Sequence, residues 1–165
     1  MSLVINMLPR VNIVLPPNRF RPNGKYTVFL PGSIEMGKAD DWQSDFCDEF
    51  QLYDIVVLNP RRTEWDSSWV QSIDNPHFRE QVEWELRCLS ISDLILMYLQ
   101  PNTMSPISML ELGLYANSGK MVVCCPDGFW RKGNIDIVCE NHNIISCETI
   151  QDLYAIARNK IKRLS

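Results

Sequence analysis

Short apolar runs alternate with longer amphipathic stretches along the chain. Residues 26–30 (Tyr-Thr-Val-Phe-Leu) are β-branched and aromatic and predict a strand, broken by Pro31-Gly32-Ser33. Asp40 as N-cap, with Trp42, Phe46 and Phe50 at four-residue spacing, predicts a helix. Residues 54–58, 94–99 and 121–125 are short and essentially apolar, as expected of strands covered on both faces. A helix is predicted from about Pro76 to Ser90. Another opens at Ser105-Pro106, serine as cap and proline in the first position, and ends at Ser118-Gly119. Residues 129–136 read as a loop and Ile144-Ile145 as a short fifth strand. Residues 149–164 predict an amphipathic helix with Ile150, Leu153, Ala157, Ile161 and Leu164 on one side. Its cationic end, Lys160, Lys162 and Arg163, suits the helix dipole.

Strands that alternate with helices predict an α/β fold: a single doubly wound, mainly parallel five-stranded sheet with helices on both faces, flavodoxin- or Rossmann-like. The length of 165 residues suits one domain. Residues 1–24 carry Pro9, Pro16, Pro17 and Pro22 and predict an extended lead-in along the surface, ahead of a domain at 25–165. Ligands of such sheets bind at the carboxyl ends of the strands. Three segments therefore share one rim: 31–37, 59–68 and 100–108. The polar stretch 59–76 is long for a connection, which favours a functional role.

Charge narrows the function. Sixteen Lys+Arg against 20 Asp+Glu, a net charge of −4, exclude the basic footprint of a nucleic-acid polymer binder. No apolar run approaches the roughly 18 residues of a membrane span. The first 17 residues make a poor signal peptide, so a cytoplasmic protein is expected. Six cysteines form no C-x-x-C pair. Cys139, His142 and Cys147 form a partial metal set at most, and reduced structural thiols are the alternative reading.

The informative charges are two carboxylates. Between Leu94 and Pro126 only Glu111 and Lys120 are charged. The helix of Glu111 is apolar nearly all round, so it is expected to be buried and its carboxylate to resist ionisation. Such a group is functional or part of a bonded network. Glu85 falls on the stripe of Phe78, Val82, Leu86 and Leu89; the alternative is a boundary residue reaching solvent or an arginine. Two carboxylates and a glycine-bearing loop at one sheet edge suit chemistry at a sugar carbon.

Phe29-Leu-Pro-Gly-Ser-Ile34 after the first strand, Glu85 before Ser92-Asp93, and Ser105-Pro-Ile-Ser-Met-Leu-Glu-Leu-Gly-Leu-Tyr-Ala116 together resemble the nucleoside 2-deoxyribosyltransferase superfamily. The superfamily includes 2'-deoxynucleoside 5'-phosphate N-hydrolases. Asn59-Pro-Arg-Arg62, Trp65-Asp66 and Gly128-Phe-Trp-Arg-Lys-Gly133 resemble its nucleoside 2-deoxyribosyltransferase-like subgroup. The resemblance implies that Glu111 is the nucleophile at the anomeric carbon and that Glu85 stands where an Asp near sugar and base is usual. Phe29 lies at or beside a frequent catalytic Tyr, whose hydroxyl it lacks; Tyr98 or Tyr115 would have to supply one. Ser105 and the Gly32-Ser33-Ile34 tract lean toward a 5'-phosphate, with Ser108 beside them. Ile107 and Met109 stand where glycines are usual. Arg62, Trp65 and Asp66 are candidates for the base, unless Trp65 merely covers a sheet edge. No metal or organic cofactor is implied. The expected partners are a nucleoside or nucleotide, a free base as acceptor, and a second copy in a homodimer or larger assembly, with the 129–136 loop reaching across the interface. The expected reaction is N-glycosidic cleavage with transfer to another base; hydrolysis, or a nucleotide-binding module without catalysis, are the alternatives.

Overall fold

The computed structural model describes residues 10–163. The expectations for residues 1–9 of the lead-in and for Leu164 lie outside the described residues. Six parallel strands form one sheet, β1 (Asn12–Val14), β2 (Thr27–Phe29), β3 (Val56–Leu58), β4 (Leu94–Tyr98), β5 (Met121–Cys124) and β6 (Ile145–Cys147). They lie in the order β1-β3-β2-β4-β5-β6. The sequence predicts five; the sixth is Asn12–Val14 of the lead-in, which joins the edge of β3 in parallel register, Asn12 opposite Val56 and Val14 opposite Leu58. Three residues among prolines carry too little pattern to announce a strand. The partner edge supplies the hydrogen bonds.

Helices cover both faces, as the alternating pattern requires. On one face α2 (Pro76–Ile91), α3 (Pro106–Tyr115) and α4 (Lys132–Asn141) bury Trp84, Leu112 and Ile135 against Phe29, Ile95 and Val123. On the other, α1 (Trp42–Glu49) and α5 (Ile150–Lys162) bury Phe46 and Leu153 against Val28, Leu96 and Val122. Strand residues alternate between the two clusters because successive side chains leave a strand on opposite faces.

Several local expectations shift. Asp41, not Asp40, caps α1 by accepting from the Ser44 N–H at 3.1 Å. The 129–136 loop gives way to α4 from Lys132 onward. Gly133, Asn134 and the β-branched Ile135, Ile137 and Val138 have weak helix propensity, and packing of Ile135 and Cys139 on the sheet overrides it. Helix α3 is not buried all round: Ile107, Leu110 and Leu114 are 59%, 59% and 57% exposed. The buried side of α2 holds Gln81, Trp84, Cys88 and Leu89, whereas Leu86 faces water. Among the described residues no helix is long and apolar enough to cross a membrane.

Candidate active site

The chain passes from β2 to β3 on one side and then returns to β4 on the other. The order therefore reverses between β2 and β4, and a crevice opens beyond their carboxyl ends. The loops leaving these strands are bonded together. Gly32 pairs with Tyr98, the Ser33 N–H donates to Tyr98 O at 2.9 Å, and the Gln100 N–H donates to Ser33 Oγ at 2.8 Å. Gly32 has φ +148°, and a Cβ there would collide with the Tyr98 carbonyl oxygen. Only glycine permits this approach. The loop after β3 joins through Arg61, whose guanidinium donates to Gln43 Oε1 and to the carbonyls of Ala39 and Asp40 and pairs with Asp41. The three predicted rim segments thus form one connected surface.

Three buried hydroxyls meet at this rim. Ser33 Oγ lies 2.7 Å from Ser105 Oγ and 2.8 Å from Thr103 Oγ1, and Thr103 and Ser105 are 3.0 Å apart. Ser105 occupies the N-cap position of α3, as predicted, but does not cap it. Its φ is +45°, and its hydroxyl turns into the cluster. Just ahead of the helix, Glu35 Oε1 receives the N–H groups of Met104 at 2.9 Å and Ser105 at 2.7 Å. Glu35 reaches them from a tight 3-10 turn, Glu35–Gly37, in which Glu35 and Met36 have φ of +47° and +54°. Left-handed backbone at non-glycine residues costs about 1–3 kcal/mol each, so the surrounding bonds must hold the loop in this form. Ile34, whose carbonyl accepts from the N–H groups of Gly37 and Ala39, closes that turn.

Glu111 lies on the crevice side of α3 with Ser108 one turn before it, each nearly buried at 6% and 5% exposed. Among the described residues no hydrogen-bond donor reaches its carboxylate. Burial raises its pKa well above the ordinary 4.5, and the charge of Glu85 raises it further. Glu85 is itself pushed up to about 7 by burial, against an opposing hydrogen bond from Gln81. The residue retains partial exposure while its carboxyl group sits among protein atoms. Burial makes each carboxyl group resist ionisation, and the charge of Glu85 acts on Glu111, so ionising one makes ionising the other harder. Cys88, close enough to feel both charges, is pushed above the usual thiol range by burial first.

Phe29 packs edge-on to Trp84, with ring centroids 6.2 Å apart, on the same sheet face as Glu111. Tyr98 is on the opposite face against Trp42, with centroids 5.7 Å apart, so its hydroxyl does not replace the one Phe29 lacks. Tyr115 packs on the Glu111 face, one turn along α3.

The base-side candidates gather around the start of α2. Arg62 pairs with Glu80 at 3.0 Å, stands over the Trp69 ring at 5.0 Å and is 6% exposed in its side chain. Its Nε and Nη1, and Trp65 Nε1, are buried without partners. Trp65 meets Trp69 edge-on at 5.2 Å, and Trp69 stacks on His77. Asp66 is exposed and accepts from the N–H and hydroxyl of Ser68, which hold its carboxyl below the usual range. Gln81 links this cluster to the carboxylates: its Nε2 donates to Pro60 O at 3.0 Å and to Glu85 Oε1 at 2.8 Å.

Glu35, Gln81, Thr103 and Trp84 were not singled out by the sequence. Gln81 stands four residues before Glu85, and Thr103 two before Ser105, which were the available signals. Among the described residues no group of three or more His, Cys, Asp or Glu is placed to hold a metal, and His142 instead meets Asn117 at 2.8 Å.

No match was found among curated proteins. A solved structure described as a conserved protein from Enterococcus faecalis V583 shares the fold, with a TM-score of 0.58 and 14% identity over 86% of this chain and 99% of that one. Residues 25–129 run from β2 through β5 and contain both carboxylates, the hydroxyl cluster and the aromatic loop. They match the family described as nucleoside 2-deoxyribosyltransferase like, and with more than half of its length inside that match, the chain belongs to this family.

Proposed function

We propose that this protein cleaves the N-glycosidic bond of 2'-deoxynucleosides or their 5'-monophosphates and transfers the deoxyribosyl group to another nucleobase. The observation that carries this reading is the buried Glu111 carboxylate, free of hydrogen-bond donors and beside the second carboxyl group of Glu85. In the first step a Glu111 oxygen bonds to the anomeric carbon. The bond from that carbon to the base nitrogen breaks, and its electron pair leaves with the base. Glu85, which burial keeps protonated up to about pH 7, supplies the proton the departing base needs. A carboxylate poorly solvated in the empty site is stabilised by the positive charge that develops on the sugar carbon. In the second step a nitrogen of the incoming base attacks the same carbon, passes its proton back to Glu85 and releases Glu111; water in that role gives hydrolysis. The unpartnered donors of Arg62 and Trp65 suit carbonyl or ring-nitrogen acceptors on the base.

A homodimer fits the exposed apolar side of α3, where Met104, Ile107, Leu110 and Leu114 lie in the open next to Trp130, whose Nε1 donates to Met104 O. The test is incubation with deoxynucleosides and deoxynucleotides, with and without an acceptor base, followed by product separation. Transfer yields a new nucleoside, and hydrolysis yields free sugar. Wild-type rates in Glu111→Ala would overturn the nucleophile assignment, and tight binding without turnover would overturn the enzymatic reading.

A further inference from the structure

We propose that Cys124 and Cys147 form a redox site, in which a peroxide joins the two sulfurs in a disulfide that clamps edge strand β6 to the sheet. The inference goes beyond the glycosidic reading and stands without it. Cys124 ends β5 and Cys147 ends β6, and the parallel register sets them opposite one another. The Cys125 N–H donates to the Cys147 carbonyl at 2.9 Å and fixes that register. Neighbouring strands run about 4.8 Å apart, inside the Cα separation of roughly 4.4–6.8 Å that a disulfide spans. Both side chains leave the sheet on the face covered by α1 and α5, where Cys124 belongs to the buried cluster and Cys147 packs against it. Their thiols already meet, with the Cys124 S–H donating to the Cys147 sulfur.

The two sulfurs are not equivalent. Cys124 is fully buried, whereas Cys147 is the one cysteine among the described residues that is not. It lines a depression with Lys132, Asp136, Ser146 and Glu148, which gives a small oxidant its approach. The hydrogen bond from Cys124 holds the Cys147 thiol below its usual range, against the opposing effect of burial. An accessible sulfur that ionises readily, with a second sulfur in contact behind it, combines an attacking and a resolving thiol. Cys125 and Cys139 lie in the cluster on the other face, and burial pushes them up to about 12 and about 11. They therefore stay protonated and shielded.

The chemistry takes two steps. The Cys147 sulfur attacks one oxygen of hydrogen peroxide and the O–O bond breaks. The departing hydroxide takes the thiol proton and leaves as water, so Cys147 becomes a sulfenic acid, oxidised by two electrons. The Cys124 sulfur then attacks the Cys147 sulfur. The S–O bond breaks, and the hydroxide leaves with the Cys124 proton as a second water. The new bond closes a loop that contains the whole of α4 and ties down β6, a three-residue strand at the end of the sheet.

The test treats the full chain with hydrogen peroxide, blocks remaining thiols with iodoacetamide and maps the digested peptides. The wild type should lose two hydrogens in a cross-link between Cys124 and Cys147, restored by dithiothreitol. Its Tm without reductant should rise by about 5 °C or more. Cys147→Ser should form no link and show no rise. Cys124→Ser, or Cys124→Ala in its place, should leave Cys147 as a sulfenic acid that dimedone traps. Cys125→Ser should still form the link, which separates Cys124 from its neighbour in sequence. A wild type with no link, or with a link from Cys125 to Cys139, would overturn the proposal. A Cys124–Cys147 link that leaves the Tm unchanged would overturn the clamp.

Discussion

Replacing Glu85 by glutamine isolates the cost of holding its carboxyl group away from water. An unfolded chain leaves Glu85 near 4.5, and the native protein pushes it up to about 7. Below pH 4.5 the residue is protonated in both states, and its stabilising share is fully present. Between 4.5 and about 7 the unfolded chain releases the proton while the native protein keeps it, so native stability falls as the pH rises. Above about 7 both states are ionised and the loss is complete. At ~1.4 kcal/mol per pH unit the interval from 4.5 to about 7 corresponds to at most about 3 kcal/mol, since part of the residue still touches water. Glutamine carries no charge at any pH and still accepts the Gln81 hydrogen bond. Glu85→Gln should therefore match the wild type in pH dependence below 4.5 and become progressively more stable than it toward pH 8. Removing the Glu85 charge also eases ionisation of Glu111, which adds in the same direction. Urea denaturation of both proteins at half-unit steps from pH 4.5 to 8.5 reads the difference directly. Parallel stability curves would refute the reasoning, because they would mean that the Glu85 carboxyl group is as well solvated in the native protein as in the unfolded chain.

Glu111→Gln should lower turnover by at least about 10³-fold, as loss of a nucleophile does, while raising stability at pH 8 by about 1–3 kcal/mol because an unpaired buried charge is removed. Single-turnover kinetics and denaturation of the same sample check both halves. Gly32→Ala should cost about 2–4 kcal/mol, from a disfavoured φ and a Cβ driven into Tyr98, seen as a lower urea midpoint with an unchanged slope. Leu110→Glu should leave the stability of the monomer nearly unchanged, since the side chain is 59% exposed, and abolish self-association in sedimentation or light scattering. An unchanged mass would remove α3 from the interface.

Much of the candidate site was legible in the chain because its signals are local. The apolar stretch around Glu111 leaves one carboxylate without solvent, and Gly32-Ser33 interrupts the strand where a ligand-binding loop belongs. Glu85 was found for a partly mistaken reason: the stripe containing Leu86 is not the buried one, and Glu85 is held by Gln81 and the Trp84 side of α2. Ser105 was found at its position in the helix, but its bonding differs from a side-chain cap. Glu35 was invisible, since its partners are 69 and 70 residues away in sequence and no local pattern couples them.

The sequence by itself determined the α/β alternation, five of the six strands to within two residues at either end, and a lone acidic residue in the most apolar part of the chain. These follow from hydrophobic periodicity, turn residues and the cost of burying charge, all of which operate within a few residues. Tertiary structure alone decided the sixth strand, the helix at Lys132–Asn141, and the open apolar side of α3. It also decided that the loops after β2 and β4 close on one another, setting Glu35 on the amino end of α3 and three hydroxyls in one triangle. Those arrangements depend on which strands become neighbours, and strand order is chosen by the packing of the whole sheet.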